Sequence, residues 1–126
     1  TVAKTVSGEV AGLPTGATFS FTAQCTLTGF APIVTTINGV VAGSGAVILV
    51  ADAPVGWTCT ISETVPALAD ASYAWGTPQW RQSSTVVVAT PGATYARSVN
   101  NPITRVTGSL QITKQLADTP PEAMST

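Results

Sequence analysis

Short segments in which apolar and small polar side chains alternate constrain the fold of this chain more than any other feature. In residues 17–28, alternate positions carry apolar side chains, and the positions between them carry hydroxyl or amide groups. Residues 57–64 repeat this pattern with many threonines. Successive side chains of a β-strand point to opposite faces, so each segment predicts a strand with one face in the core. The apolar run 46–51 predicts a further, buried strand.

No stretch has helical periodicity over three turns. Short strands recur at regular spacing, and clusters of Gly, Pro and Asn separate them. This organisation is typical of an all-β sandwich, and we expect an Ig-like or prealbumin-like sandwich of about 7–9 short strands. A length of 126 residues suits one such domain.

Composition argues against several function classes. The chain has 5 basic and 6 acidic residues, no His and a formal net charge of −1. Without a basic patch we expect no nucleic-acid partner, and without His or grouped acidic residues we expect no metal and no cofactor. The longest apolar run is too short to span a bilayer, so we expect no direct membrane insertion. An enzyme that turns over is not expected.

Three polar side chains fall on predicted inward faces. Lys4 shares a face with two valines on the first strand, and Glu63 shares a face with Cys59 and Ile61. The last strand ends in two asparagines, Asn100 and Asn101, and Asn101 faces the core if Val99 does. If the first and last strands pair, an inward Lys and an inward Asn can meet.

Such a meeting permits a specific reaction. Burial lowers the pKa of a lysine amine, which becomes a neutral nucleophile, and burial favours a neutral carboxyl group that can pass on a proton. Lys4 would then attack the Asn carboxamide with Glu63 as catalytic acid, and ammonia would leave. The alternatives are a snorkelling or edge-protecting Lys4, a solvated Glu63 and a turn-forming Asn before Pro102.

Three parts of the chain resemble a Cna-B-type repeat, the prealbumin-like β-sandwich of stalks in Gram-positive adhesins and pilins. They are the opening VAKTVSG, the central CTISETVP and the closing VNNPITRVTGSLQITK. The resemblance implies an isopeptide bond from Lys4 to Asn101 with Glu63 as the catalytic acid, and Asn100 is the second choice of acceptor. It also implies an extracellular, cell-wall-anchored spacer whose partners are neighbouring repeats.

The end of the chain predicts a tandem array. Residues 112–116, ITKQL, align with residues 2–6, VAKTV, so we interpret 1–107 as one repeat and 108–126 as the first strand of the next repeat plus a flexible tail. Lys114 would be the counterpart of Lys4 in that next repeat. In isolation, this strand could complement a neighbouring molecule.

Two further groups of residues carry predictions. Cys25 and Cys59 both lie on inward faces; an extracellular setting favours a disulfide between them over two free thiols, and we expect it to join opposite sheets. Tyr73, Trp75 and Trp80 would form an aromatic face for a host glycan or matrix protein, the alternative function. Packing in the core is the more frequent role of such aromatic residues.

Overall fold

The chain forms two four-stranded β-sheets that pack face to face, as the computed structural model describes it for residues 1–115. The predicted all-β sandwich is confirmed. In chain order the strands are β1 Val2–Gly8, β2 Phe19–Thr26, β3 Ile33–Val40, β4 Thr58–Thr64, β5 Tyr73–Trp75, β6 Gln79–Trp80, β7 Thr85–Val87 and β8 Arg97–Arg105. A single 3₁₀ turn, Val10–Gly12, follows β1.

The first sheet is organised around the last strand. β8 pairs in parallel with β1 on one side and antiparallel with β5 and β6 on the other. Pro102 lies inside β8, between the stretches that pair with β6 and with β5, where the ladder is interrupted and a missing N–H is tolerated. Because β1 and β8 run in the same direction, the domain begins and ends at opposite ends of the sandwich.

The second sheet has the order β3-β2-β4-β7, with all three pairings antiparallel. Alternation in the sequence fixes its two faces, as β2 shows most clearly. Its apolar residues Phe19, Phe21, Ala23 and Cys25 are at most 1% exposed, and the hydroxyl and amide groups between them face outward. These residues form the centre of the core with Val2, Val40, Leu49 and Val99.

The prediction of a strand at 46–51 is wrong. Only Val47 pairs, in an isolated bridge with Val2 at the edge of β1. Within the run, Leu49 is 5% exposed and Ile48 is 67% exposed. A continuous apolar run indicates burial but does not supply a partner strand, and here the segment covers one end of the sandwich instead of extending a sheet.

Residues 106–115 follow β8 without forming a strand, and Leu110 and Ile112 are 90% and 84% exposed. The predicted flexible tail falls on residues 116–126, which lie outside the described part of the chain. Within residues 1–115, no helix is long and apolar enough to cross a membrane.

Candidate functional site: a buried Lys–Glu–Asn cluster

Three strands bring one polar side chain each into the interior. β1 carries Lys4 and β8 carries Asn101, on neighbouring strands of one sheet, while β4 of the facing sheet carries Glu63. Lys4 is aligned with Val99, two positions before Asn101, so the two polar side chains occupy diagonal positions on the same inward face. The pairing of first and last strands, which the sequence left conditional, brings these residues together.

The Glu63 carboxylate bridges the other two groups. Its Oε2 lies 3.2 Å from Lys4 Nζ, and its Oε1 accepts a hydrogen bond of 2.7 Å from Asn101 Nδ2. One carboxylate therefore contacts both the amine and the carboxamide, one with each oxygen. This is an arrangement in which a proton can pass from the first group to the second.

Water is largely excluded from the cluster. The side chain of Lys4 is 0% exposed and that of Glu63 is 5% exposed, and Asn101 as a whole is 1% exposed. Burial lowers the pKa of the Lys4 amine, and the neighbouring Glu63 carboxylate offsets part of that change. The amine is therefore closer to its neutral, nucleophilic form than a lysine in water.

Two further contacts position the Lys4 amine, and sequence reasoning missed both. Nζ lies 4.6 Å from the centroid of the Phe19 ring and donates a hydrogen bond of 3.0 Å to the carbonyl oxygen of Thr5. The alternation in β2 predicted an inward Phe19, but nothing in the sequence indicated that its ring faces Lys4. Strand order decides this contact, and strand order was not deduced.

The cluster is incompletely satisfied. Asn101 Oδ1 and Glu63 Oε2 are buried and accept no hydrogen bond, although Oε2 has the Lys4 ammonium at ion-pair distance. A buried polar atom without a partner costs about 1–3 kcal/mol. The interior therefore holds a charged pair and an under-bonded carbonyl, which makes a reaction that consumes them favourable.

Asn100 faces away from this cluster. Its Oδ1 accepts a hydrogen bond from Thr5 Oγ1, and its Nδ2 donates to Ser7 Oγ and Gln79 Oε1. These partners lie on the outer side of the first sheet, where alternation in β8 directs position 100. Of the two candidate acceptors, Asn101 is the one that contacts Glu63.

A cleft of about 310 Å³ leads from the surface to the cluster. Glu63 and Asn101 form its inner end, and its walls include Trp75, Pro78 and Trp80. The cleft provides a route by which a small molecule such as ammonia could leave.

The aromatic residues proposed for glycan binding are half-buried in the structure. Trp75 and Trp80 pack against the core, and Trp75 meets Phe19 edge-on with ring centroids 5.8 Å apart. Tyr73 packs beneath the Arg105 guanidinium, 5.0 Å from the ring centroid. The proposed aromatic face thus has much of its area engaged in packing.

Cys25 and Cys59 form a disulfide, as predicted. Its predicted location is wrong, because the two residues face each other on adjacent strands β2 and β4 of the same sheet. Alternation shows that both side chains point inward, but it does not show which strands are neighbours. The disulfide therefore fastens two strands within a sheet and leaves the joining of the two sheets to the Lys4–Glu63–Asn101 cluster and core packing.

Lys114 is exposed and lies outside the cluster. Among residues 1–115, no group of three or more acidic or cysteine side chains comes together in a way that could hold a metal ion.

The fold and the buried cluster define a β-sandwich with a Lys–Glu–Asn centre in place of a solvent-accessible active site. The chain belongs to a family of domains of unknown function, DUF5979, which matches residues 1–107. The match ends two residues after β8, so it includes all eight strands. No curated protein and no solved structure shows significant similarity to the chain.

Proposed function

We propose that this domain is a structural spacer in the stalk of an extracellular, cell-wall-anchored adhesin or pilus, and that it staples itself with an isopeptide bond between Lys4 and Asn101. The observation that carries the proposal is the Glu63 carboxylate shared by a buried amine and a buried carboxamide. The resemblance to Cna-B-type repeats of Gram-positive bacteria supports the same assignment.

The reaction balances with the residues of the cluster alone. Lys4 first transfers a proton from Nζ to Glu63, which neutralises both groups in a site where burial disfavours charge. The neutral amine then attacks Cγ of Asn101, and the bond from Cγ to Nδ2 breaks. Protons reach Nδ2 through the Glu63 carboxyl group, ammonia leaves, and Glu63 ends the reaction protonated. The enzyme-like step happens once per molecule, so the domain is no turnover catalyst.

Glu63 can act at either atom of the carboxamide. In the structure it contacts the nitrogen that would leave. A half-turn of the carboxamide about its Cβ–Cγ bond would exchange nitrogen and oxygen, and a protonated Glu63 would then donate to Oδ1 and polarise the carbonyl. Fixed proximity of amine and carboxamide in a site without water supplies the main acceleration, on the order of 7–11 kcal/mol of the barrier at its upper range.

The geometry of the termini supports a load-bearing role. Since β1 and β8 are parallel neighbours, a chain enters at one end of the sandwich and leaves at the other, so consecutive domains would extend as a string. A bond between Lys4 and Asn101 would carry a pulling force directly from the first strand to the last. The disulfide fits an oxidising, extracellular compartment.

Intact mass under reducing conditions tests the proposal. We expect the wild-type protein to be lighter than its sequence by one ammonia molecule, and we expect Lys4→Met and Glu63→Gln to have full mass. Reductant removes the contribution of the disulfide from the measurement. Full mass in the wild-type protein would leave Lys4 and Glu63 as an ordinary buried ion pair.

A further inference from the structure

A second cavity, of about 430 Å³, opens at the end of the sandwich where β1 begins. Thr1 lies at its edge, and its apolar walls include Leu49, Val88, Ala93 and Tyr95. It lies between segments 48–55 and 90–95 and reaches inward to the disulfide at Cys59. No residue of β1 fills it.

The pairing of β1 with β8 can continue backwards into this cavity. Val2 is aligned with Arg97, and the Thr1 nitrogen donates a hydrogen bond of 2.8 Å to the Tyr95 carbonyl. The Arg97 N–H in turn donates to the Thr1 carbonyl at 3.0 Å. A peptide N–H at Thr1 can make the same bond to Tyr95, so a preceding residue would continue the parallel ladder beside Tyr95, on the wall of the cavity.

Alternation determines where that preceding side chain points. Val2 and Lys4 face inward and are 0% and 2% exposed. The position directly before Thr1 has the same parity, so its side chain would also face inward, toward the cavity.

The chain itself contains the counterpart of this position. The alignment of 112–116 with 2–6 makes Gln111 the counterpart of Thr1 and Leu110 the counterpart of the residue before it. Leu110 is 90% exposed at the end of the repeat. An apolar side chain thus stands where the next repeat, if built alike, presents an apolar cavity.

We propose that the apolar residue directly before β1, supplied by the end of the preceding repeat as Leu110 is here, enters this cavity and joins consecutive repeats. The inference rests on the tandem arrangement in the proposed function. It makes each junction a packed contact, since the last residues of one repeat complete the core of the next.

The test extends the full chain at its first residue with the chain's own motif. One variant carries Gly-Ser-Leu before Thr1, and the matched control carries Gly-Leu-Ser, which has the same composition but turns the leucine outward. Thermal unfolding in guanidinium should show a midpoint about 5 °C or more higher for Gly-Ser-Leu, because only its leucine is buried. Nuclear Overhauser contacts should join the leucine methyl groups to the Tyr95 ring.

Equal midpoints for the two extensions, or a leucine without contacts to Tyr95, would overturn the inference. Intact mass of the same samples reports on the crosslink separately. A protein with the ammonia deficit but no difference between extensions refutes the junction alone. A protein with the difference but full mass refutes the crosslink alone.

Discussion

Lys4 Nζ lies 3.2 Å from Glu63 Oε2, although the two residues belong to strands of opposite sheets. This ion pair crosses the middle of the sandwich with almost no access to water. Removing two charges from water costs several kcal/mol per ion before their attraction is counted, so such a pair is weak evidence of stabilisation by itself. A carboxamide that contacts the same carboxylate gives the pair a chemical use, because amide formation removes the buried amine charge.

The identity of the acceptor can be tested with two neighbouring asparagines. We expect Asn101→Ala to restore full mass, because its carboxamide contacts Glu63. Asn100→Ala is the matched control and should keep the ammonia deficit, since Asn100 bonds only to groups on the outer face. Mass spectrometry of the intact, reduced proteins distinguishes them, and the opposite pattern would move the acceptor to Asn100.

The pH dependence of stability should reveal the Lys4 amine when it cannot react. In Asn101→Leu the amine stays free and buried, and burial keeps its pKa below the ordinary value of 10.5. Between these two pKa values the unfolded chain binds more protons than the folded one. The free energy of unfolding should therefore rise with pH toward 10.5, by at most about 1.4 kcal/mol per pH unit.

The control for this experiment is Asn101→Leu combined with Lys4→Met, which lacks the amine. Urea unfolding at several pH values from neutral upward should show the rise only in the single variant. The same slope in both proteins would assign it to another group and contradict a lowered pKa at Lys4.

The walls of the cleft should protect the reaction from water. Trp80→Ala would open the cleft beside Glu63 and Asn101 and let water stabilise the charged form of Lys4. We expect a smaller crosslinked fraction and slower crosslinking during refolding. Trp57→Ala is a suitable control, because Trp57 packs against Phe30 and the second core cluster, away from the cleft. A time course of intact mass measures both, and equal rates would show that shielding by Trp80 is unimportant.

The sequence predicted the members of the site because each depends on alternation within one strand. Lys4, Glu63 and Asn101 could each be assigned to an inward face from their immediate neighbours. Their meeting depends on which strands pair, and the first and last strands are separated by nearly the whole chain. Local pattern leaves such long-range pairing open, and the family resemblance supplied the pairing that alternation could not.

The errors have the same origin. Cys25 and Cys59 were assigned correctly to inward faces but incorrectly to opposite sheets, since neighbouring strands of one sheet give the same pattern. Residues 46–51 have the composition of a buried strand but find only one bridging partner. Both cavities, and the Phe19 ring facing Lys4, arise from how the sheets and end segments pack, which no single segment encodes.

The disulfide should stabilise the domain independently of the crosslink. Cys25 and Cys59 enclose a loop with a sequence separation of 34. By the chain-entropy estimate, Cys25→Ala with Cys59→Ala should lower the free energy of unfolding by about 3–4 kcal/mol. Guanidinium unfolding measures this loss, and intact mass should still show the ammonia deficit. A variant that loses both the stability and the deficit would show that the disulfide is needed to assemble the cluster.

Mechanical extension distinguishes a stapled spacer from an ordinary sandwich. When the two ends are pulled, a Lys4–Asn101 bond bypasses the chain between them, so the wild-type domain should show no unfolding step in single-molecule force spectroscopy under reducing conditions. Lys4→Met should unfold by shearing β1 from β8 and lengthen by roughly 300 Å, the extended length of the released chain. Asn100→Ala, which leaves the cluster intact, should behave as the wild type. A step of that length in the wild-type protein would mean that hydrogen bonds alone hold the first strand to the last.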